Sequence, residues 1–88
     1  MKKLDHGWVL IKDHQIEKIY AFKNFRDALD FGIRVGELAE VEQHHPDITI
    51  SWGKVKIALW THKVKGLSDA DFIMAAKCDK CFDETKTA

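Results

Sequence analysis

Apolar and polar positions alternate along the first part of the chain. Trp8 to Ile11 and Ile16 to Phe22 are β-rich runs, and the polar stretch Lys12-Asp13-His14-Gln15 between them suits a hairpin. The period then changes. Asn24 stands as a helix cap before Phe25, Ala28, Leu29, Gly32, Val35, Gly36 and Ala39, which recur at helical spacing and predict a helix to about Glu42. Phe31 and Leu38 form a second apolar stripe, more than a monomer with one buried face requires, so a partner subunit is expected to cover it. Pro46 closes the helical region and leaves His44 and His45 at the junction. Ile48, Ile50 and Trp52 alternate with Thr49 and Ser51, Gly53 marks a turn, and Val55, Ile57 and Leu59 alternate with Lys56, Ala58 and Trp60. By that parity His62 shares the face of Ala58 and Trp60, near the strand's end. Gly66 breaks the chain and Ser68 caps a last helix from Asp69 to about Lys80, with Phe72, Ile73, Ala75 and Ala76 expected inward and Asp83 to Ala88 expected frayed. The order strand, strand, helix, strand, strand, helix predicts an α+β fold of two layers, a four-stranded antiparallel sheet with helices on one face.

Length and charge narrow the picture. Eighty-eight residues suit a single domain, 1–88, whose small core favours oligomerisation. Fourteen basic residues balance fourteen acidic ones, so neither nucleic acid nor an anionic membrane is an expected partner. No apolar run has the length of a signal peptide or a membrane span, and Cys78 and Cys81, three apart, cannot staple distant parts of a secreted domain. The expected compartment is the cytoplasm.

Candidate chemistry gathers in Glu40-Val41-Glu42-Gln43-His44-His45-Pro46, in Trp60-Thr61-His62 and in Gly66-Leu67-Ser68-Asp69-Ala70-Asp71. Imidazole alone titrates near neutrality without perturbation, so several histidines together supply a proton donor and a proton acceptor at one pH, as an elimination of water needs. Glu40 precedes His44 by four residues, which on a helix puts its carboxylate in reach of an imidazole to orient it.

His-His-Pro, a strand ending in Thr-His, and Gly-Leu-Ser with an aspartate opening a helix resemble the pterin-4a-carbinolamine dehydratase family, as do Phe22, Phe25, Ala28, Leu29, Phe31 and Ala39-Glu40. The resemblance runs from about Trp8 to the last helix. It implies assembly into dimers or tetramers and conversion of 4a-hydroxytetrahydrobiopterin to quinonoid dihydrobiopterin plus water, within tetrahydrobiopterin recycling, with no metal or organic cofactor. It also implies catalytic roles for His44, His45 and His62, with His44 and His62 as the acid and base pair, and orienting or substrate-binding roles for Glu40, Asp71, Thr61 and Trp52. Ile48 stands where some members have an aromatic residue and Trp52 where many have tyrosine.

Other readings stand beside this one. Asp71, three residues after Ser68, also fits a capping box, while Trp8, Trp52 and Trp60 read as packing residues and His6 and His14 as exposed. Cys78-Asp79-Lys80-Cys81 has the spacing of half a zinc site, but no second cysteine pair accompanies it, and two unremarkable thiols are expected. Besides a dehydratase, the chain is readable as a non-catalytic pterin-binding or dimerisation module, since an animal member of the family partners a homeodomain transcription factor, or as a metal protein of the histidines with Cys78 or Cys81.

Overall fold

The computed structural model describes residues 2–3, 7–12, 14–61 and 66–87. Its elements are β1 (Lys2–Lys3), β2 (Val9–Ile11), β3 (Gln15–Ala21), α1 (Phe25–Glu42), β4 (Asp47–Ser51), β5 (Lys54–Leu59) and α2 (Asp69–Thr87). The four strands expected from the alternation form an antiparallel sheet, and two-residue β1 extends its edge, giving the order β1-β2-β3-β5-β4. The fold class and element order read from the sequence are those observed, with β1 as the addition.

Central strands β3 and β5 pair from Ile16 with Leu59 to Ala21 with Lys54. Val55, Ile57 and Leu59 are fully buried on one face of β5, and Ile16 and Tyr20 are buried on β3. Both helices cover that face. Asn24 caps α1 as expected, its Oδ1 accepting the Asp27 N–H at 2.8 Å. At the other end Gln43 takes the left-handed conformation, φ 57°, and the His44 N–H reaches back to the Ala39 carbonyl at 3.2 Å, a Schellman-type stop. Gly32 lets α1 approach β4, because a Cβ there would lie 2.6 Å from Ile50 Cδ1.

Helix α1 is rotated relative to the sequence reading. Phe31 is fully buried and Leu38 packs on the core, so the second stripe needs no partner to cover it, whereas Phe25 at the helix start is largely exposed. The cause is an aromatic cluster: Phe31 lies 4.7 Å from Tyr20 and 5.3 Å from Phe22, ring centre to ring centre, and these contacts turn it inward.

Helix α2 departs more. Its buried face is Asp71, Met74, Ala75 and Cys78, with Phe82 packed against the core one turn on. Phe72 and Ile73, expected inward, are 47% and 53% exposed, and Ala76 is exposed too. The inward phase is set by a polar residue, Asp71, which an apolar pattern cannot register. The helix also runs on to Thr87, where the sequence suggested an end at about Lys80 and fraying from Asp83. Phe82 explains the extension, since its ring meets those of Tyr20, Phe22 and Phe31 at 5.0–5.8 Å. Trp8 is buried as expected, but Trp52 is 69% exposed. No helix among the described residues is long and apolar enough to cross a membrane.

Candidate active site

Three chain segments converge where α1 ends, β5 ends and α2 begins. The stop at Gln43 turns the chain out of α1, so His44 leaves the helical face and its ring swings toward the first turn of α2. There Asp71, fully buried, holds it: His44 Nε2 lies 2.6 Å from Asp71 Oδ1. A carboxylate only accepts, so Nε2 is the protonated nitrogen of the ring. Nδ1 has no partner among the described residues.

The second carboxylate oxygen, Oδ2, accepts the Thr61 hydroxyl at 2.7 Å and the Ser68 N–H at 2.9 Å. Ser68 Oγ is in turn 2.7 Å from Thr61 Oγ1. Thr61 also pairs with Gly66 through the main chain, N–H to carbonyl at 2.6 Å one way and 3.3 Å the other. His62 and His6 lie outside the described residues.

Glu40 bonds His45 Nε2, not the ring of His44. The four-residue spacing that favoured His44 holds only on a continuous helix, and the left-handed Gln43 breaks it. His45 and Glu40 are both largely exposed, while His44 keeps only 18% of its side chain accessible. Glu42 is held by Lys77 at 2.7 Å. Trp52 follows the far end of β4, about 17 Å along the strand from Asp47 at 3.3 Å per residue.

Ser68 was legible as a cap but not as part of this network. The signal was its spacing: a residue three positions before an acid at a helix start. The carboxylate half of a capping box is present in Asp71 Oδ2 and the Ser68 N–H.

A cavity of about 580 Å³ lies elsewhere, lined by Ala21, Phe22, Lys23, Asp27, Asp30, Phe82 and Thr85. It is at the start of α1 and the end of α2, a helix length away from His44, so it does not compete with the histidine site. Cys78 is buried and Cys81 half-buried on α2, and burial pushes the Cys78 thiol from about 9.0 up to about 12. Among the described residues no three histidine, cysteine or acidic side chains gather as a metal site.

A family model described as pterin 4 alpha carbinolamine dehydratase matches residues 1–81. The chain belongs to this family. Relatives include proteins named "Putative pterin-4-alpha-carbinolamine dehydratase": that of Alkaliphilus metalliredigens is 52% identical over 91% of this chain and 72% of its own length. That of Rubrobacter xylanophilus is 50% identical over 84% of this chain and 69% of its own. Among solved structures, a transcriptional coactivator/pterin dehydratase from Brucella melitensis superposes with a TM-score of 0.81 at 28% identity, covering 86% of this chain and 82% of that one. A pterin dehydratase-like protein identified as a RuBisCO assembly factor in the alpha-carboxysome shares the fold, with a TM-score of 0.73 at 24% identity over 88% and 90% of the two chains. Family membership therefore brings a pterin dehydratase fold, and a fold alone does not decide activity. The residues at the site must carry that argument.

Proposed function

We propose that this chain dehydrates a pterin-4a-carbinolamine, 4a-hydroxytetrahydrobiopterin or a close analogue, to the quinonoid dihydropterin and water. The C4a–O and N5–H bonds break, the C4a=N5 bond forms, and one proton is delivered to the departing hydroxyl while another leaves N5. The observation that carries this reading is the His44–Asp71 pair. A buried carboxylate on Nε2 holds the ring in one tautomer and stabilises the imidazolium it becomes, while Nδ1 is left to accept a proton. His44 is accordingly the base that takes the N5 proton.

His62, by its resemblance to the family's third histidine, is the acid that protonates the hydroxyl. His45, oriented by Glu40, borders the pterin or shares the proton transfers. The reading carries with it a cytoplasmic homo-oligomer serving tetrahydropterin recycling.

Loss of the 4a-carbinolamine, followed by absorbance with purified protein, tests it. Wild type accelerates the loss, and His44→Ala and His62→Ala each lower kcat by about 100-fold or more while melting temperature stays near that of wild type. Wild-type protein without turnover would instead favour a non-catalytic module.

A further inference from the structure

We infer that the hydroxyls of Thr61 and Ser68 form a clamp on Asp71 that fixes the tautomer and direction of His44, making both of them positioning residues. The kinetic consequence rests on the dehydratase reading; the geometric one does not.

Each hydroxyl has one proton to give. Thr61 Oγ1 donates to Asp71 Oδ2, so the 2.7 Å contact between the two hydroxyls must be Ser68 donating to Thr61. The result is a directed chain, Ser68 to Thr61 to Asp71, in which each bond polarises the next. With the Ser68 N–H also on Oδ2, that oxygen is occupied twice and Oδ1 is the one left for His44. Carboxylate rotation is a soft, roughly two-fold torsion, so burial by itself does not choose its plane. These donors do.

Capping does not explain the Ser68 hydroxyl. A capping serine accepts the N–H of the residue three positions on, yet the Asp71 N–H goes to the Ser68 carbonyl at 3.0 Å while the hydroxyl turns to Thr61. Thr61 has a second attachment, because its main chain pairs with Gly66 across segment 62–65, which contains His62. One threonine thus joins the carboxylate behind His44 to the main chain of Gly66. If the clamp loosens, the imidazole is free to exchange to its Nδ1–H form, and Nδ1 can no longer accept a proton.

Nitrogen-15 NMR of His44, read together with kcat and KM, tests the clamp in Thr61→Val, Thr61→Ser, Ser68→Ala and the Thr61→Val/Ser68→Ala double variant. Wild type should hold neutral His44 as the Nε2–H tautomer. Thr61→Val should mix the tautomers and lower kcat about 10- to 100-fold, with KM within about two-fold. Thr61→Ser should restore both. Ser68→Ala should cost less than Thr61→Val, and the double variant should match Thr61→Val alone, because the Ser68 hydroxyl acts only through Thr61 while its N–H is kept. An unchanged tautomer in folded Thr61→Val and Ser68→Ala overturns the clamp, as does a kcat loss that Thr61→Ser fails to restore. Should Thr61→Val not fold, Ser68→Ala decides the tautomer question. Absence of turnover in wild type would defeat the dehydratase reading and leave the tautomer measurement to judge the clamp.

Discussion

Two carboxylates on α2, Asp71 and Asp79, are eight residues apart and each collects three hydrogen-bond donors, yet they serve opposite ends. Asp79 accepts the Trp8 indole N–H at 3.2 Å, the Tyr20 hydroxyl at 2.6 Å and the Lys18 ammonium at 2.8 Å. None of those donors is an imidazole, the side chain that changes charge near neutral pH. Tyr20 is driven further from it, because burial and the bond to Asp79 both push its phenol up. Asp79 therefore fastens α2 to the sheet permanently, tying β3 and the entry to β2 to one point on the helix. Asp71 has two donors of the same fixed kind, the Thr61 hydroxyl and the Ser68 N–H, but its third is an imidazole. In the proposed reaction that single exchange turns a structural clasp into a group able to pass protons, since imidazole gains and loses charge near neutrality. On the dehydratase reading proposed above, what a carboxylate on α2 does is decided by whether one of its partners is an imidazole.

Substitutions at Asp79 and its donors sharpen the contrast. Asp79→Ala should lower unfolding free energy by about 3 kcal/mol, because it strands the Tyr20 and Trp8 donors, and leave kcat within about two-fold. Urea unfolding and the carbinolamine assay read the two effects separately. Tyr20→Phe, which removes one bond and keeps the aromatic packing, should cost about 1 kcal/mol by the same unfolding measurement.

Alkaline pH acts on the same region. The buried Cys78 thiol keeps its proton to about pH 12 in the folded chain, against about 9.0 ordinarily, so above pH 9 the unfolded chain binds fewer protons. The stabilisation is complete below that pH and is lost as pH rises toward 12, with Tyr20 adding a loss of the same sign above about pH 10. Melting temperature should fall through this window, and Cys78→Ala should flatten the fall. Alkylation should likewise spare Cys78 in the native protein at pH 8.

Glu40→Gln should have the smallest effect. Both it and His45 are largely exposed, so unfolding free energy should change by less than about 0.5 kcal/mol. A large loss of stability there would mean that the exposed pair is structural after all.

Local periodicity explains how much was legible in the sequence. Alternation in Val55, Ile57 and Leu59 and the cap at Asn24 are short-range signals, and the strands and α1 followed from them. Helix α2 was misread because its inward phase begins at a carboxylate, and its length was misread because Phe82 is held by aromatic rings from β3 and α1 that no local pattern reveals. The histidines at the end of α1 were legible as a cluster. Glu40 was legible as the partner of an imidazole, but which ring each acid holds was not: one left-handed residue, Gln43, gave Glu40 to His45 and His44 to Asp71, 27 residues away. The Asp79 clasp was invisible for the same reason, its donors being 59 to 71 residues distant.

The most direct test sets Asp71→Asn beside Asp79→Asn in the same buffer, with kcat for carbinolamine loss and melting temperature measured for each. Asp71→Asn should lower kcat by about 100-fold or more, since an amide neither selects the Nε2–H tautomer nor stabilises the imidazolium, whereas Asp79→Asn should lower melting temperature and keep turnover within about two-fold of wild type. Equal turnover in the two variants would contradict the division of labour between these carboxylates.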